Sequence, residues 1–222
     1  MAYFKNESTL NIFCDASIQK IRNKKYRGCY GAIPVFIDQD IEQQYRVCSD
    51  TTNNNAEIKA IRLGVEIAIR FKNRFSHINI FSDSQISIFG IRDYIFNWKN
   101  INGIICGYQN KPIANQSVFL EILDMIVRSD LHINFWHQKG HVDMKQSSLY
   151  NALHVFQSSN GIRGNVSLGF IKYISFWNDM VDNESRKKLL QTNFTNPYRE
   201  PLCFQAQDFY QKLEIYKYLI QK

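Results

Sequence analysis

The stretch LNIFCDASI, residues 10–18, alternates apolar and polar side chains, the period of a half-buried strand, and it delivers an aspartate, Asp15, near its end. The predicted strand covers residues 10–17. A basic connection, QKIRNKKYR, leads into GCYGAIPVFI, a second strand, and IEQQYRVCS is a third. The short polar DQD between them predicts a hairpin. From Asn54 to Lys72 the period changes, with Ile58, Ile61, Val65, Ala68 and Ile69 on one helical face. The preceding TTNN supplies capping side chains. HINIFSD reads as a fourth strand, and SQISIFGIRDYIFNWK returns to helical spacing before Gly103, Gly107 and Pro112 break the chain. NQSVFLEILDMIVRS predicts another helix and LHINFWHQ a fifth strand. The order β-β-β-α-β-α-α-β predicts an α/β domain with a five-stranded mixed sheet flanked by helices.

Beyond Gly140 the pattern weakens. SLYNALHVFQ suggests a short helix, SSNGIRGN a turn, LGFIKYISFW an apolar stretch and NDMVDNESRKKLLQ a further helix. NPYREP is a break. Phe209, Leu213, Tyr216 and Leu219 then give the last segment an amphipathic helical face, expected to pack back on the core, with a dimer or partner contact as the alternative.

Composition narrows the class. At 222 residues and 45% hydrophobic, the chain can bury a sizeable core, and 14% aromatic content excludes the profile of a disordered protein. Lys and Arg number 27 against 20 Asp and Glu, a formal charge of +7 that favours an anionic partner such as nucleic acid. The five cysteines (Cys14, Cys29, Cys48, Cys106 and Cys203) are odd in number and form no Cys-x-x-Cys pair, as expected of a reducing, intracellular, cytoplasmic setting. The opening MAYFKNESTL lacks the basic-then-apolar order of a signal peptide, and no window reaches the ~18 apolar residues of a membrane span.

Each acidic candidate has an ordinary explanation. Asp15 can turn the chain at a strand end, Asp83 stands where a helix N-cap would be, and Glu57 and Asp182 fit solvated helix faces. Together they suggest more. Asp15 and Asp83 lie at the C-terminal ends of strands, the edge where open α/β sheets place ligands. Glu57, read as lying in the first turn of the helix after strand three, leans over that edge. Acids gathered there repel unless a cation neutralises them, and hard cations such as Mg²⁺ prefer oxygen ligands. Two such ions ~3.5–4 Å apart clamp the attacking and leaving oxygens of a phosphodiester.

At these residues the chain resembles the type 1 ribonucleases H. The resemblance runs in order through FCDAS, TTNNNAEIKAI, IFSDSQISIFGI…FNWK, NKPIANQSVF, HQKGH and NDMVD, covering most of residues 10–190. It implies a ribonuclease H-like fold and an endonuclease that hydrolyses the RNA strand of RNA–DNA hybrids, leaving 3′-hydroxyl and 5′-phosphate ends. By the same resemblance Asp15, Glu57, Asp83 and Asp182 would hold two Mg²⁺ ions, with Mn²⁺ a possible substitute. His141 in KGH matches the family's mobile histidine, linked to proton transfer or product release. Ala16, Ser17, Thr52, Asn53, Asn54, Ser84 and Gln85 fall at positions that grip the hybrid. Short polar side chains suit a minor groove, where the 2′-hydroxyl marks the RNA strand. Trp98 and the segment to Pro112 resemble the substrate-binding protrusion, and Asn115 matches a position near a phosphate groove of the DNA strand.

Three departures mark this chain. Ala16 stands where the family usually has glycine. QKIRNKKYRG replaces a Gly- and Asn-rich connection, so Lys20, Arg22, Lys24, Lys25 and Arg27 offer either generic phosphate attraction or a plain solvated loop. Residues 142–177 occupy what is usually a short loop, an insertion expected beside the catalytic edge, where it could lid the site, widen substrate choice or dock a partner. Asp179 then competes with Asp182 as fourth acid, and the spacing of Asn178 to Asp182 favours Asp182. The predicted organisation is a ribonuclease H-like domain over residues 1–191, with insertion 142–177, and a helical extension over 192–222, acting as a monomer. The alternatives are an enzyme of shifted substrate, or a nucleic-acid-binding or protein-interaction module of the same fold without turnover.

Overall fold

The computed structural model describes residues 7–21, 26–49, 51–191 and 208–220. Arg22, Lys24, Lys25, Cys203, the NPYREP break and the first six residues lie outside them. Strands β1 (Thr9–Lys20) and β2 (Tyr26–Phe36) form a long antiparallel pair. The predicted third strand is split into β3 (Gln39–Asp40) and β4 (Gln44–Ser49), both paired with β2. Pro34 explains the split. It has no N–H to give to a ladder, and three residues, 41–43, bulge opposite Ile33 and Pro34.

Helix α1 (Asn53–Phe71) starts on Thr52, whose hydroxyl accepts from the Asn55 N–H at 3.2 Å. It is followed by β5 (His77–Ser82) and α2 (Gln85–Arg92), which continues as a single 3₁₀ turn over Tyr94–Asn97. The segment expected as a plain break folds into a hairpin of β6 (Lys99–Ile101) and β7 (Ile104–Cys106). Its two-residue loop is Asn102-Gly103, both at positive φ, which is the chemistry of a tight hairpin turn. Helix α3 (Gln116–Ser129) leads to edge strand β8 (Asn134–His137). Helices α4 (Gln146–Asn160), α5 (Leu168–Gln191) and α6 (Phe209–Leu219) follow. The apolar stretch LGFIKYISFW is therefore the first half of one long helix.

Counting β3 and β4 as one interrupted strand, the order across the sheet is β3/β4, β2, β1, β5, β8, a five-position mixed sheet. One face packs on α1, α3 and α6: Ile12, Cys14 and Ile80 meet Ile61, Leu63, Leu123 and Tyr216. The other takes Phe13, Ile33 and Phe81 against Leu149, Phe156, Ile174 and Trp177 of α4 and α5. Residues 142–177 thus cover the second face of the sheet. The final helix packs on the core as expected, and Tyr216 donates to the Ile91 carbonyl at 3.1 Å.

Because both faces are covered, β1 is not half-buried, and Asn11, the polar member of its alternation, is 2% exposed. It belongs to an amide ladder. Asn79 donates to Asn11 Oδ1 at 3.0 Å, while Asn134 and the Trp136 indole N–H donate to Asn79 Oδ1 at 3.3 and 2.9 Å. These asparagines are register partners across three parallel strands, so a slip of one residue would bury their amides against apolar neighbours. Asn79→Leu removes the acceptor shared by two donors and is expected to cost more than about 2 kcal/mol, read as a lowered urea midpoint at unchanged slope.

Candidate active site

The parallel register of β1 and β5 sets Phe13 opposite Phe81. Carried two residues further, it sets Asp15 opposite Asp83, which directly follows the end of β5. Strand β1 itself does not end near Asp15 as expected but runs on to Lys20, paired there only with β2. Asp83 precedes α2, whose N-cap is Ser84 rather than Asp83, so the aspartate is not consumed in capping. Glu57 is the fifth residue of α1, one residue later than expected and so just past the first turn, and it lines the same cleft. One carboxylate oxygen from each of Asp15, Glu57 and Asp83 lies within 4.8 Å of the others. They sit at a cleft of ≈ 800 Å³ whose walls include Ser17, Asn53, Gln85, His141 and Asp182.

The electrostatics of the cluster are unfavourable when it is fully ionised. Burial, then the charges of Asp83 and Glu57, hold the Asp15 carboxyl well above the usual range. Burial and the charges of Asp83 and Asp182 do the same for Glu57. Burial also raises Asp83, against a hydrogen bond from Asn178 that lowers it. The Ala16 N–H donates to Asp15 Oδ1 at 2.6 Å, and the Ala16 methyl fits the strand, paired with Tyr30. Glu57 Oε2 is buried without a hydrogen-bond partner among the described residues, in a carboxyl that its neighbours' charges make costly to ionise. An oxygen-only donor set of this kind fits a hard divalent cation.

Asp182 reaches the cleft from α5 and is held apart from the other three. Ser17 Oγ donates to its Oδ1 at 2.9 Å and Arg186 to its Oδ2 at 2.9 Å. Asp182 lines the cleft; Asp179 is half-buried one turn away and does not. His141 lines the cleft at a left-handed backbone position, φ 50°, directly after Gly140. A Cβ at Gly140 would overlap the Asp83 carboxylate, so the histidine loop packs against that acid only with glycine there.

Of the expected substrate-contacting residues, Ala16, Ser17, Asn53, Asn54, Ser84 and Gln85 line the cleft. Thr52 is occupied as the α1 cap. Asn115 stands at the start of α3 and accepts from Asn55 at 2.9 Å, tying the two helix starts together. Trp98 is buried, packs edge-on against Phe119 and floors a separate groove with Tyr94, Tyr108 and Ile113. No described residue of 142–177 lines the cleft; the segment covers the sheet, which leaves out the lid among the roles it offered. Sequence reading passed over Gln138, Gly140 and Arg186. Arg186 was legible as an i,i+4 partner of Asp182; the other two depend on contacts between distant elements.

A family model described as RNase H matches residues 7–151. The chain belongs to the RNase H family. The matched stretch takes in Asp15, Glu57, Asp83 and His141 and ends before Asp182. Ribonuclease HI of Pasteurella multocida (strain Pm70) is 36% identical over 91 residues, 41% of this chain and 54% of that protein. Ribonuclease HI of Haemophilus influenzae (strain ATCC 51907 / DSM 11121 / KW20 / Rd) is 32% identical over 103 residues, 46% and 62%. The chain thus spans about half to three-fifths of the length of these curated relatives. Ribonuclease H of Pseudoalteromonas translucida (strain TAC 125) is 29% identical over 154 residues, 66% and 88%. Among solved structures, a foamy viral protease-reverse transcriptase in complex with RNA/DNA hybrid superposes with TM-score 0.58 at 15% identity, over 84% of this chain and 20% of that one. The solution structure of the PFV RNase H domain gives 0.52 at 17%, over 73% and 99%. Both likenesses establish the RNase H fold.

The raised carboxyls set a pH dependence for the metal-free protein. Above the ordinary carboxylate range near pH 4 the folded state holds more protons than the unfolded one, so stability falls as pH rises through the raised values. Unfolding temperatures in chelator are expected to drop from mildly acidic to mildly alkaline buffer. Added Mg²⁺ should raise them, and by more at the alkaline end. Equal Mg²⁺ shifts at both ends would contradict this electrostatic account.

Proposed function

We propose that this RNase H family member hydrolyses the RNA strand of RNA–DNA hybrids with two bound Mg²⁺ ions, for which Mn²⁺ can substitute. The observation that carries the reading is the mutual approach of the Asp15, Glu57 and Asp83 oxygens at a cleft of ≈ 800 Å³. Three desolvated carboxylates with an orphaned oxygen among them lower the stability of the metal-free protein. A domain that only bound nucleic acid would have no use for them.

Asp15, Glu57, Asp83 and Asp182 would hold the cations, which when bound activate a water and stabilise the departing 3′ oxygen. The residues around them act on the strand. Ser17, Asn53, Asn54 and Gln85 offer short polar groups to the minor groove and its 2′-hydroxyls. His141, exposed at the cleft mouth, delivers a proton to the departing O3′ or helps the 5′-phosphate leave. Lys20 and Arg27, on neighbouring strands beyond Ser17, and Arg186 supply the positive field that draws phosphates to an otherwise acidic floor. Thr52, Trp98 and Asn115 act outside the cleft itself, Thr52 and Asn115 by fixing helix starts and Trp98 by flooring the second groove.

In this reading residues 1–191 form the catalytic unit, the segment 142–177 is part of its scaffold, and the 192–222 extension braces it through α6. The chain acts as a monomer in a reducing, intracellular compartment. No disulfide joins Cys14, Cys29, Cys48 and Cys106, and no helix among the described residues is long and apolar enough to cross a membrane.

The test is an end-labelled RNA–DNA hybrid incubated with Mg²⁺ or Mn²⁺. Only the RNA strand should be cut, leaving 3′-hydroxyl and 5′-phosphate ends. Asp83→Asn should lose at least about a hundred-fold in rate, since one carboxylate of such a site is worth several kcal/mol at the transition state. Tight hybrid binding without cleavage in either metal would sink the enzyme reading and leave a binding module.

A further inference from the structure

The carboxamide of Gln138 is buried, 1% exposed, and has no part in the function proposed above. Its position follows from the sheet. Ser82 pairs with His137, and the Gln138 N–H extends the ladder by one bond, to the Ser82 carbonyl at 3.1 Å. That register stands Gln138 beside Asp83. The side chain turns to α5, where Nε2 donates to Asn178 Oδ1 at 2.6 Å, and Asn178 Nδ2 donates in turn to Asp83 Oδ2 at 3.4 Å. Asn178 is equally buried, at 1% exposed.

The direction of this chain is dictated by its end. An ionised carboxylate only accepts, so Asn178 must present its NH₂ to Asp83 and keep its carbonyl for a donor. Gln138 is that donor. Without it the Asn178 amide, whose terminal torsion is soft, is free to rotate, and the 3.4 Å bond to Asp83 is long enough to be lost first. On its other side Asp83 Oδ2 lies against Gly140, where no Cβ fits. One oxygen of Asp83 is thereby fixed between α5 and the histidine loop.

We propose that Gln138 is a positioning residue which, through Asn178, orients the Asp83 carboxylate and so sets the affinity of the acid cluster for divalent cations. The inference rests on the metal-dependent reading above. A purely structural role, stitching β8 to α5, would change stability but not cation affinity.

The experiment reads Mg²⁺ binding without substrate, by titration calorimetry and by the rise of unfolding temperature with Mg²⁺ concentration. The proteins are the full chain, Gln138→Met, Asn178→Leu and the double variant. Gln138→Met keeps the volume and loses the donor. Each single variant is expected to bind Mg²⁺ about ten-fold more weakly, the usual loss for a group that orients a metal ligand. The double variant should be no weaker than Asn178→Leu, because the two residues act in series. Wild-type affinity in Gln138→Met, or a double loss equal to the product of the single losses, overturns the proposal. If the methionine variant does not fold, Gln138→Asn, which keeps the amide and shortens its reach, must show the same weakening. A wild-type chain that binds no Mg²⁺ would instead overturn the metal reading itself.

Discussion

Parallel pairing between β1 and β5 is the constraint on which the rest of the molecule depends. It aligns Asn11 with Asn79 and, continued four residues further in register, Asp15 with Asp83, where β5 ends and β1 runs on beside β2 alone. The first pair is neutral, buried and hydrogen-bonded, and it penalises any slip. The second pair repels when both carboxyls are ionised, and that repulsion favours their separation. The amide ladder, extended to Asn134 on β8, therefore opposes the electrostatic tendency of the acids to separate. The register that is good for folding at the asparagines enforces an uncomfortable site at the aspartates.

Helices on both faces complete the arrangement because the site draws on each. Glu57 comes from α1 on one side and Asp182 from α5 on the other, so both layers must pack firmly before the acids converge. Gly64 lets α1 approach β1 closely; a Cβ there would press on Cys14 Sγ at 2.6 Å. On α5 the residues that face the cleft region, Asn178, Asp182 and Arg186, recur every four positions. That stripe advances about 6 Å per step along the helix axis. One polar stripe thus serves the acid at Asp83, the fourth acid and the phosphate-attracting guanidinium in succession.

Much of this was legible in the chain, and the failures have physical causes. The order of the strands, the α1 face and the candidate acids could be read because local period and turn chemistry agree with the tertiary structure there. Strand β1 outruns its predicted end by three residues because β2 pairs with it to Lys20. Asn11 looked solvent-facing because alternation reports polarity and not burial, and a buried amide ladder mimics a half-exposed strand. The Asn102-Gly103 turn carried a strong hairpin signal that the nearby Gly107 and Pro112 masked as general breakage. The first half of α5 read as a plain apolar stretch because its Phe170, Ile171, Ile174 and Trp177 bury one broad face while Phe176 remains exposed. Trp98 was placed on the substrate side by resemblance, whereas its packing against Phe119 makes it first a core residue.

Residues 142–177 bear most directly on how the site is held. Had they formed a lid, the acid cluster would be complete without them. Instead Phe156, Phe170 and Trp177 share one apolar cluster with Phe13 and Phe81. Phe13 and Phe81 stack on each other at 5.0 Å between ring centroids, each two residues before one of the two aspartates, Asp15 and Asp83. Asn160, the last residue of α4, accepts from the His137 N–H at 3.0 Å and donates to its carbonyl at 2.7 Å, standing in for the missing neighbour of edge strand β8. The same segment thus packs on the phenylalanines that precede the acids and closes the strand from which Gln138 and His141 emerge. A change within it can reach the chemistry without touching the cleft, through the two phenylalanines or through the edge of β8.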